Sequence, residues 1–431
     1  SADGVYTSRL GTLTLTDSAD NLVDFAYLNN RTVVTFRSED APAVRTGGSG
    51  NFAALGGSPR AGVRYCVSWD GRMWLFSNQN ADWSSRNDPT VWDLTDDTLN
   101  FLGITGAGVT DRTVVTGARV AGDSIYIGKE GINAPEGKVY RIHKTGDARS
   151  YDFERIETGG IAPIGQQAFL LLPNGDLAFL AKDGSVYILR GNSLMEIGKN
   201  IKRTLVSDYS KTRFQYASMG LMRERGYMGL SVSLTGAGTH ARTWWYDYVD
   251  SIPSAISGTT DTEYWYLGDH AINTWGERVS SGQLQLVTGG YDGFVERHLS
   301  GDSYAGAAYT KRWTTPWLLL GDYLQVYHIL GIVIAAQTTG NFDITLNYRT
   351  DFGQSYTNAG TFNVGGGAFI LGAGVLGTDR LGGGDTDLSY LTLNTVARRL
   401  QLQFVNTAAS QPYTIYSLYL VAKPIYRGVN V

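Results

Sequence analysis

A short β-hairpin recurs about every fifty residues along this 431-residue chain, and it limits the fold more than any other feature. The turn centres fall at Asn29-Asn30, Asp70-Gly71, Gly122-Asp123, Asn174-Gly175, Arg225-Gly226 and Asp292-Gly293. The glycines of the last five (71, 122, 175, 226 and 293) stand 51, 53, 51 and 67 residues apart. An apolar run follows each turn: Thr32 to Phe36, Met73 to Phe76, Ile125 to Ile127, Leu177 to Leu180, Tyr227 to Val232, and a weaker Phe294-Val295. A second run comes next in four units, at Val91 to Leu94, Val139 to Ile142, Val186 to Leu189 and Trp244 to Asp247. A further strand is expected at Tyr151 to Ile156, Leu194 to Ile197 and Tyr264 to Leu267. Three or four antiparallel strands per unit make a propeller blade, and closing a ring of such units removes the sheet edges. The expected fold is all-β, with a β-propeller of five or six blades over residues 1–313.

The pattern changes at Thr314. Longer strands with clean alternation follow, as in Leu400, Leu402 and Phe404 against Gln401 and Gln403. Runs at 317–320, 326–336, 342–348, 391–393, 400–405 and 413–421 predict a β-sandwich-like domain over 314–431, or extra strands added to the ring. Within it, residues 364–384 are too rich in glycine for a helix or a firm strand and too apolar to stand bare in water. The expectation is a loop packed on a neighbour, with Phe369, Ile370, Leu371, Val375 and Leu376 as its contact residues.

Composition removes several function classes. Only 18% of residues are charged and the net charge is −4, so the whole molecule carries no nucleic-acid or membrane signature, although a local patch is not excluded. The single cysteine, Cys66, rules out an intrachain disulfide and a cysteine-based metal site, and its alternating surroundings predict a small packed side chain. Ser1-Ala2-Asp3-Gly4 lacks the regions of a signal peptide, and the apolar stretches at 329–336 and 368–376 are too short to cross a bilayer. The expectation is a chain made in a cytoplasm with no transmembrane segment and no lipid anchor.

Motifs for catalysis are thin. His143, His240, His270, His298 and His328 show no paired spacing for zinc. There is no nucleophile elbow, and Gly122 to Lys129 is followed by Glu130 where a phosphate loop needs Ser or Thr. Ser68 to Trp74 is one residue short of a sialidase aspartate box and occurs once, which favours a plain turn with Asp before Gly. Asp123, Asp176, Glu224, Asp247 and Asp292 are the carboxylates a glycosidase pair would draw on. Gly382 to Leu388 is one residue short of a calcium-binding nonapeptide and reads as an Asp-solvated turn. No cofactor and no metal are expected.

The stretch from Lys199 to Arg225 is different. Lys199, Lys202, Arg203, Lys211, Arg213, Arg223 and Arg225 stand against Asp208 and Glu224, seven cations against two anions, a local +5. Lys199, Lys202, Arg203, Lys211 and Arg213 are the candidate residues for a DNA channel or a subunit interface. On nucleic acid they would give sequence-independent phosphate contacts. On a partner they would give a salt-bridged face.

Three passages resemble the propeller-type hub or nozzle proteins of short-tailed bacteriophages. The first is Arg213 to Leu234, with Phe214-Gln215-Tyr216-Ala217 and then Arg225 to Val232. The second is Trp244-Trp245-Tyr246-Asp247 followed by Ile272-Asn273-Thr274-Trp275. The third is Arg399 to Phe404 with Tyr413 to Leu420. The resemblance implies a non-enzymatic virion protein below the portal and adaptor, in a homo-oligomeric, hexameric ring. It would touch adaptor, fibre or spike proteins and contact genomic DNA non-specifically. Two rivals are a propeller glycoside hydrolase and a carbohydrate-binding tail-spike module, both acting on host surface polysaccharide. The hydrolase needs converging carboxylates, and the binding module needs exposed aromatics at equivalent blade positions.

Overall fold

The structure, a computed structural model, describes residues 13–16, 22–37, 39–48, 50–93, 101–104, 113–131, 137–146, 151–249, 265–268, 270–280, 282–291, 295–297, 310–321, 325–337, 343–351, 353–364, 386–407 and 414–425. The chain divides into two compact units, Ser1–His298 and Leu299–Val431.

The first unit is a series of antiparallel sheets, each running through its strands in chain order. Sheet one joins β1 (Asp24–Leu28), β2 (Arg31–Thr35), β3 (Ala43–Thr46) and β4 (Ala53–Ala54). Sheet two joins β5 (Tyr65–Trp69), β6 (Arg72–Phe76), β7 (Asn80–Trp83) and β8 (Phe101–Gly103). Sheet three joins β9 (Thr113–Ala121), β10 (Ser124–Gly131), β11 (Lys138–Lys144) and β12 (Tyr151–Ile156). Sheet four joins β13 (Phe169–Leu171), β14 (Leu177–Leu180), β15 (Val186–Arg190) and β16 (Ser193–Glu196). After the helix α1 (Lys199–Asp208), sheet five joins β17 (Ser218–Met222), β18 (Tyr227–Ser233), β19 (His240–Asp247) and β20 (Trp265–Gly268). Sheet six has three described strands, β21 (Thr274–Ser280), β22 (Gln283–Gly289) and β23 (Val295–Arg297). This is a propeller-like all-β fold.

The turns explain why the hairpins form where they do. Asn29 and Asn30 (φ 46° and 61°) and Asp70 and Gly71 (φ 51° and 67°) are left-handed pairs, the two-residue geometry that matches strand twist. Each of the first five expected turns joins the first two strands of its sheet. The sixth is a correction. Asp292-Gly293 lies outside the described residues, between β22 and β23, whereas the equivalent first hairpin turns at Gly282 (φ 75°), flanked by the Ser280–Gln283 pair. Counting from Gly226 to Gly282 gives 56, so the long 67-residue interval came from comparing different turns.

A second expectation also changes. Val91 to Asp93 form no strand; the outer strands of sheet two are β7 and β8, and Trp92 instead packs in a buried cluster with residues of sheets one and two. Its indole donates to the Pro89 carbonyl at 2.9 Å.

Period-two alternation sends opposite faces of each sheet to different neighbours. Met73 and Leu75 pack with Ala26, Leu28 and Val33 of sheet one, while Trp74 and Phe76 pack with Val115, Ile125 and Ile142 of sheet three. Further buried clusters join sheets three and four, four and five, and five and six. At the last junction Trp275 lies flat on Gly220 and Gly229: a Cβ there would come within 2.4 Å and 2.3 Å of the indole, so only glycine admits it. The far face of sheet one still shows Phe25 at 59% and Tyr27 at 62% exposure, and sheet six shows Val279 at 73%.

The second unit begins earlier than the expected 313/314 boundary. Its strand β24 (Lys311–Thr314) pairs with β30 (Arg399–Asn406), which places residues 311–313 with the C-terminal strands. One sheet holds β24, β25 (Leu318–Leu319), β27 (Asp343–Thr350), β28 (Thr357–Asn363) and β30. The other has β26 (Val326–Gln337) between β29 (Thr386–Ala397) and β31 (Ile415–Ile425). Ile329, Ile332 and Ile334 of the second sheet share a buried cluster with Ile344, Leu346, Leu402 and Phe404 of the first.

Candidate functional site

The basic stretch folds around α1. Ile201 and Leu205, four apart, are buried in the cluster shared by sheets four and five. That fixes the helix rotation and leaves Lys199, Arg203 and Ser207, also four apart, exposed. Lys202 is engaged: its Nζ lies 2.6 Å from Asp183 and 3.2 Å from Glu196. Burial pulls the Lys202 ammonium down, but its hydrogen bonds to both carboxylates prevail and hold it above the ordinary value.

Arg213 sits in the short 3-10 helix Lys211–Tyr216, with its guanidinium 4.7 Å from the Tyr216 ring centroid. Arg37 approaches the same ring at 5.8 Å and donates to Gln215 at 2.9 Å, tying the end of sheet one to the entry of sheet five. Arg223 pairs with Glu277 at 2.9 Å across sheets five and six. Of the five candidate cations, then, Lys199, Arg203 and Lys211 are exposed, while Lys202 and Arg213 are held by neighbours. Phe369, Ile370, Leu371, Val375 and Leu376 lie outside the described residues.

Charge placement on α1 works against the helix itself. Lys199 occupies the first turn, where the dipole is positive, and no acidic residue stands there. Asp208 ends the helix, where a cation would be favoured. Lys199 is therefore not there to stabilise α1. Lys199 and Arg203, four apart and both exposed, make a basic face suited to phosphate.

The carboxylates expected from sequence do not converge. Asp176 pairs with Arg190 at 2.7 Å, Asp247 accepts from the Val249 N–H at 3.1 Å, and Asp123 accepts from Ser124 at 3.2 Å. Glu224 is exposed, and Asp292 lies outside the described residues. Asp70, in the segment like an aspartate box, is a latch between sheets two and three. It accepts from the Tyr151 hydroxyl at 2.7 Å and pairs with Lys144 at 2.6 Å and Arg86 at 3.4 Å. Burial raises its carboxyl, but hydrogen bonds from Lys144 and Tyr151 outweigh this and hold it below the ordinary value. Burial and Asp70 together push Tyr151 up to about 12.

Two carboxylates escaped the sequence reading. Asp82 on β7 is 2% exposed, and burial pushes it up to about 6 against the lowering effect of Arg60 at 3.3 Å. Asp24 on β1 accepts from the Cys66 N–H at 3.2 Å and from Gln166 Nε2 at 3.0 Å. Gln166 in turn bonds both backbone groups of Ala118, and Arg119 donates to the Gln166 and Phe169 carbonyls at 3.0 and 2.6 Å. Burial raises Asp24 as well. This polar knot joins the first strands of sheets one, two and three to the segment that enters sheet four. The available signal was phase: Asp24 alternates with Ala26 and Leu28, on the apolar side of its strand.

Among the described residues no group of three His, Cys, Asp or Glu side chains is placed to hold a metal. His240 is buried between carbonyls, Ile272 O at 2.8 Å and Tyr216 O at 2.9 Å. In the second unit, a cleft of about 450 Å³ is lined by Lys311, Arg312, Trp313, Thr414 and Ile415, with no carboxylate among them. No helix among the described residues is long and apolar enough to cross a membrane.

No family model matches this chain, and no curated protein matches it. Among solved structures it is similar to YCF48 bound to D1 peptide, at 10% identity and a TM-score of 0.39, over 67% of this chain and 81% of that one. It is also similar to the computationally designed Ika8 protein, at 12% identity and a TM-score of 0.37, over 64% and 70% of the two chains. A third likeness is to exo-beta-1,3-galactanase from Phanerochaete chrysosporium, at 12% identity and a TM-score of 0.28, over 86% and 97%. Likenesses this distant carry no argument about function.

Proposed function

We propose that this chain is a structural virion protein of a bacteriophage tail, one subunit of a hub or nozzle ring that retains and then passes the genome. In this reading the six sheets of the first unit are six propeller blades, and residues 299–431 form a β-sandwich. The exposed Phe25 and Tyr27 of sheet one and Val279 of sheet six mark where closure of the propeller would be made. The subunits form a hexamer in contact with adaptor and fibre or spike proteins, assembled in the host cytoplasm and carried in the tail.

The observation that carries the reading is the outward face of α1. Lys199 and Arg203 project together, with Lys211 close in sequence and Lys199 in a first turn that disfavours a cation, on a chain whose net charge is −4. Such a face suits a phosphate backbone read without regard to sequence. Duplex DNA would pass between subunits and not through the blade array itself, because the Asp24–Gln166 knot ties its first strands together.

The test is binding to two unrelated duplexes by fluorescence anisotropy, wild type against Lys199→Ala/Arg203→Ala/Lys211→Ala. Three phosphate contacts give a slope of about −2.7 in log K against log salt, roughly a 40-fold loss of affinity from 50 to 200 mM. The triple variant is expected to bind at least about tenfold more weakly at 50 mM, with a slope near zero and equal loss on both sequences. A variant that binds like wild type removes the DNA role from this face.

A glycoside hydrolase is the second reading, favoured by one observation: Asp82, at about 6, has the raised carboxyl that a general acid needs. Cleavage of a surface polysaccharide that is lost in Asp82→Asn would establish it in place of the first.

A further inference from the structure

The outer face of the β29-β26-β31 sheet is largely apolar around Val333, and the described residues of its own unit leave it uncovered. Its inner face buries Ile329, Ile332, Ile334, Leu393 and Ala397, so alternation turns the intervening residues outward. Leu388 is 64% exposed, Tyr390 54%, Tyr419 60% and Val421 39%. Among the described side chains of the three strands, Lys423 is the only lysine, arginine or carboxylate. Exposed apolar surface of this kind marks an interaction site.

Register shows what the face is shaped to meet. Val333 of β26 is paired with Tyr390 on one side and Tyr419 on the other, making a Tyr–Val–Tyr row across the sheet. One residue pair further along the outer face, the hydroxyl end of Tyr390 reaches over Gly331: a Cβ there would meet the Tyr390 hydroxyl oxygen at 2.5 Å. The face thus carries tyrosines at its sides and valine and glycine along its middle.

From these observations we infer that this face pairs with the same face of a second copy of the chain about a two-fold axis through Val333. The row reads the same from both sides, so either in-plane two-fold brings tyrosine to tyrosine, where the rings can pack on one another, and valine to valine. Near-neutrality means that no opposite charge is needed on the partner. The area also suffices. Strands of 12, 12 and 11 residues at about 3.3 Å per residue and about 4.8 Å spacing cover roughly 550 Å² per copy, or about 1,100 Å² for a pair. A specific interface needs about 1,000 Å². The contact stands apart from the tail reading above and holds pairs whether or not six chains close a ring.

Sedimentation velocity on the full chain from about 1 to 100 μM tests this. Wild type is expected to sediment as two chains or a multiple of two. Tyr419→Glu should weaken the pairing at least about tenfold with an unchanged far-ultraviolet spectrum. Val333→Cys, at the axis, should form a disulfide-linked dimer on mild oxidation, since Cys66 is buried. A wild-type monomer at every concentration overturns the inference and points to another occupant of the face. So does an assembly whose mass Tyr419→Glu leaves unchanged and Val333→Cys fails to cross-link; that result would leave a ring built on other surfaces intact.

Discussion

Trp74→Ala lowers the free energy of unfolding by about 3–5 kcal/mol, the largest effect expected of any single truncation in the first unit. Trp74 is fully buried at the junction of sheets two and three. Its ring centroid lies 5.5 Å from Trp69, 4.7 Å from Trp83 and 4.8 Å from Tyr151, and its indole N–H donates to the Trp69 carbonyl at 3.2 Å. Truncation would remove the ring shared by all three contacts and open a cavity between two sheets, where rigid backbone limits collapse. Urea denaturation followed by tryptophan fluorescence and far-ultraviolet circular dichroism measures the loss. Trp313→Ala is the control, since that ring is 42% exposed, and it should cost less than half as much. A Trp74→Ala cost below about 1 kcal/mol would mean that the two sheets do not depend on this cluster.

Asp82→Asn makes the protein more stable at neutral pH, by about 2–3 kcal/mol, and flattens part of its pH profile. Burial pushes the folded carboxyl up to about 6 from its ordinary 3.8, so the native state holds the proton more tightly than the unfolded chain does. Its stabilising contribution is complete below about 4 and is lost as pH rises through about 6. Asparagine stays neutral throughout, which removes that loss. Arg60 keeps the face of Phe101, 4.0 Å away, when the carboxylate is gone. Melting temperatures from pH 4 to 7 should show the variant pulling ahead of wild type across this window. Parallel profiles would mean that Asp82 is solvated well enough to ionise freely.

Much of the fold is written in local chemistry, and so it was legible. Asn-Asn and Asp-Gly pairs between apolar runs specify left-handed turns that few other dipeptides allow, and the strands around Asn29, Asp70 and Gly122 follow from them. What was not legible depends on which strand of a sheet a turn belongs to. Asp292-Gly293 has a stronger turn signal than Ser281-Gly282, yet it is Gly282 that joins the first pair of sheet six. Val91-Trp92 looked like a strand because Trp92 is there to cover the neighbouring sheets, while Val91 is exposed. The helix α1 had a signal in Ile201 and Leu205, but ten residues with seven polar ones read as charge before they read as a helix.

The candidate site was legible as composition and not as geometry. Seven cations in a row of residues are visible in the sequence, but nothing there says that Lys202 is taken by Asp183 and Glu196 while Lys199 and Arg203 stay exposed. That choice is made by the two apolar residues that rotate the helix. Asp24 and Asp82 were missed because a lone acid in strand phase looks like a solvated position until the facing sheet is known. In the C-terminal unit, alternation gave the buried face, while the Tyr–Val–Tyr row needed the register of three strands far apart in sequence.

The central claim is that copies of this chain build a ring that surrounds DNA. Negative-stain imaging of the purified full chain at high concentration, with and without duplex DNA, tests it most directly. The account predicts closed rings of about six copies with an opening that admits a duplex. Single-chain particles at every concentration, with DNA present or absent, would contradict it.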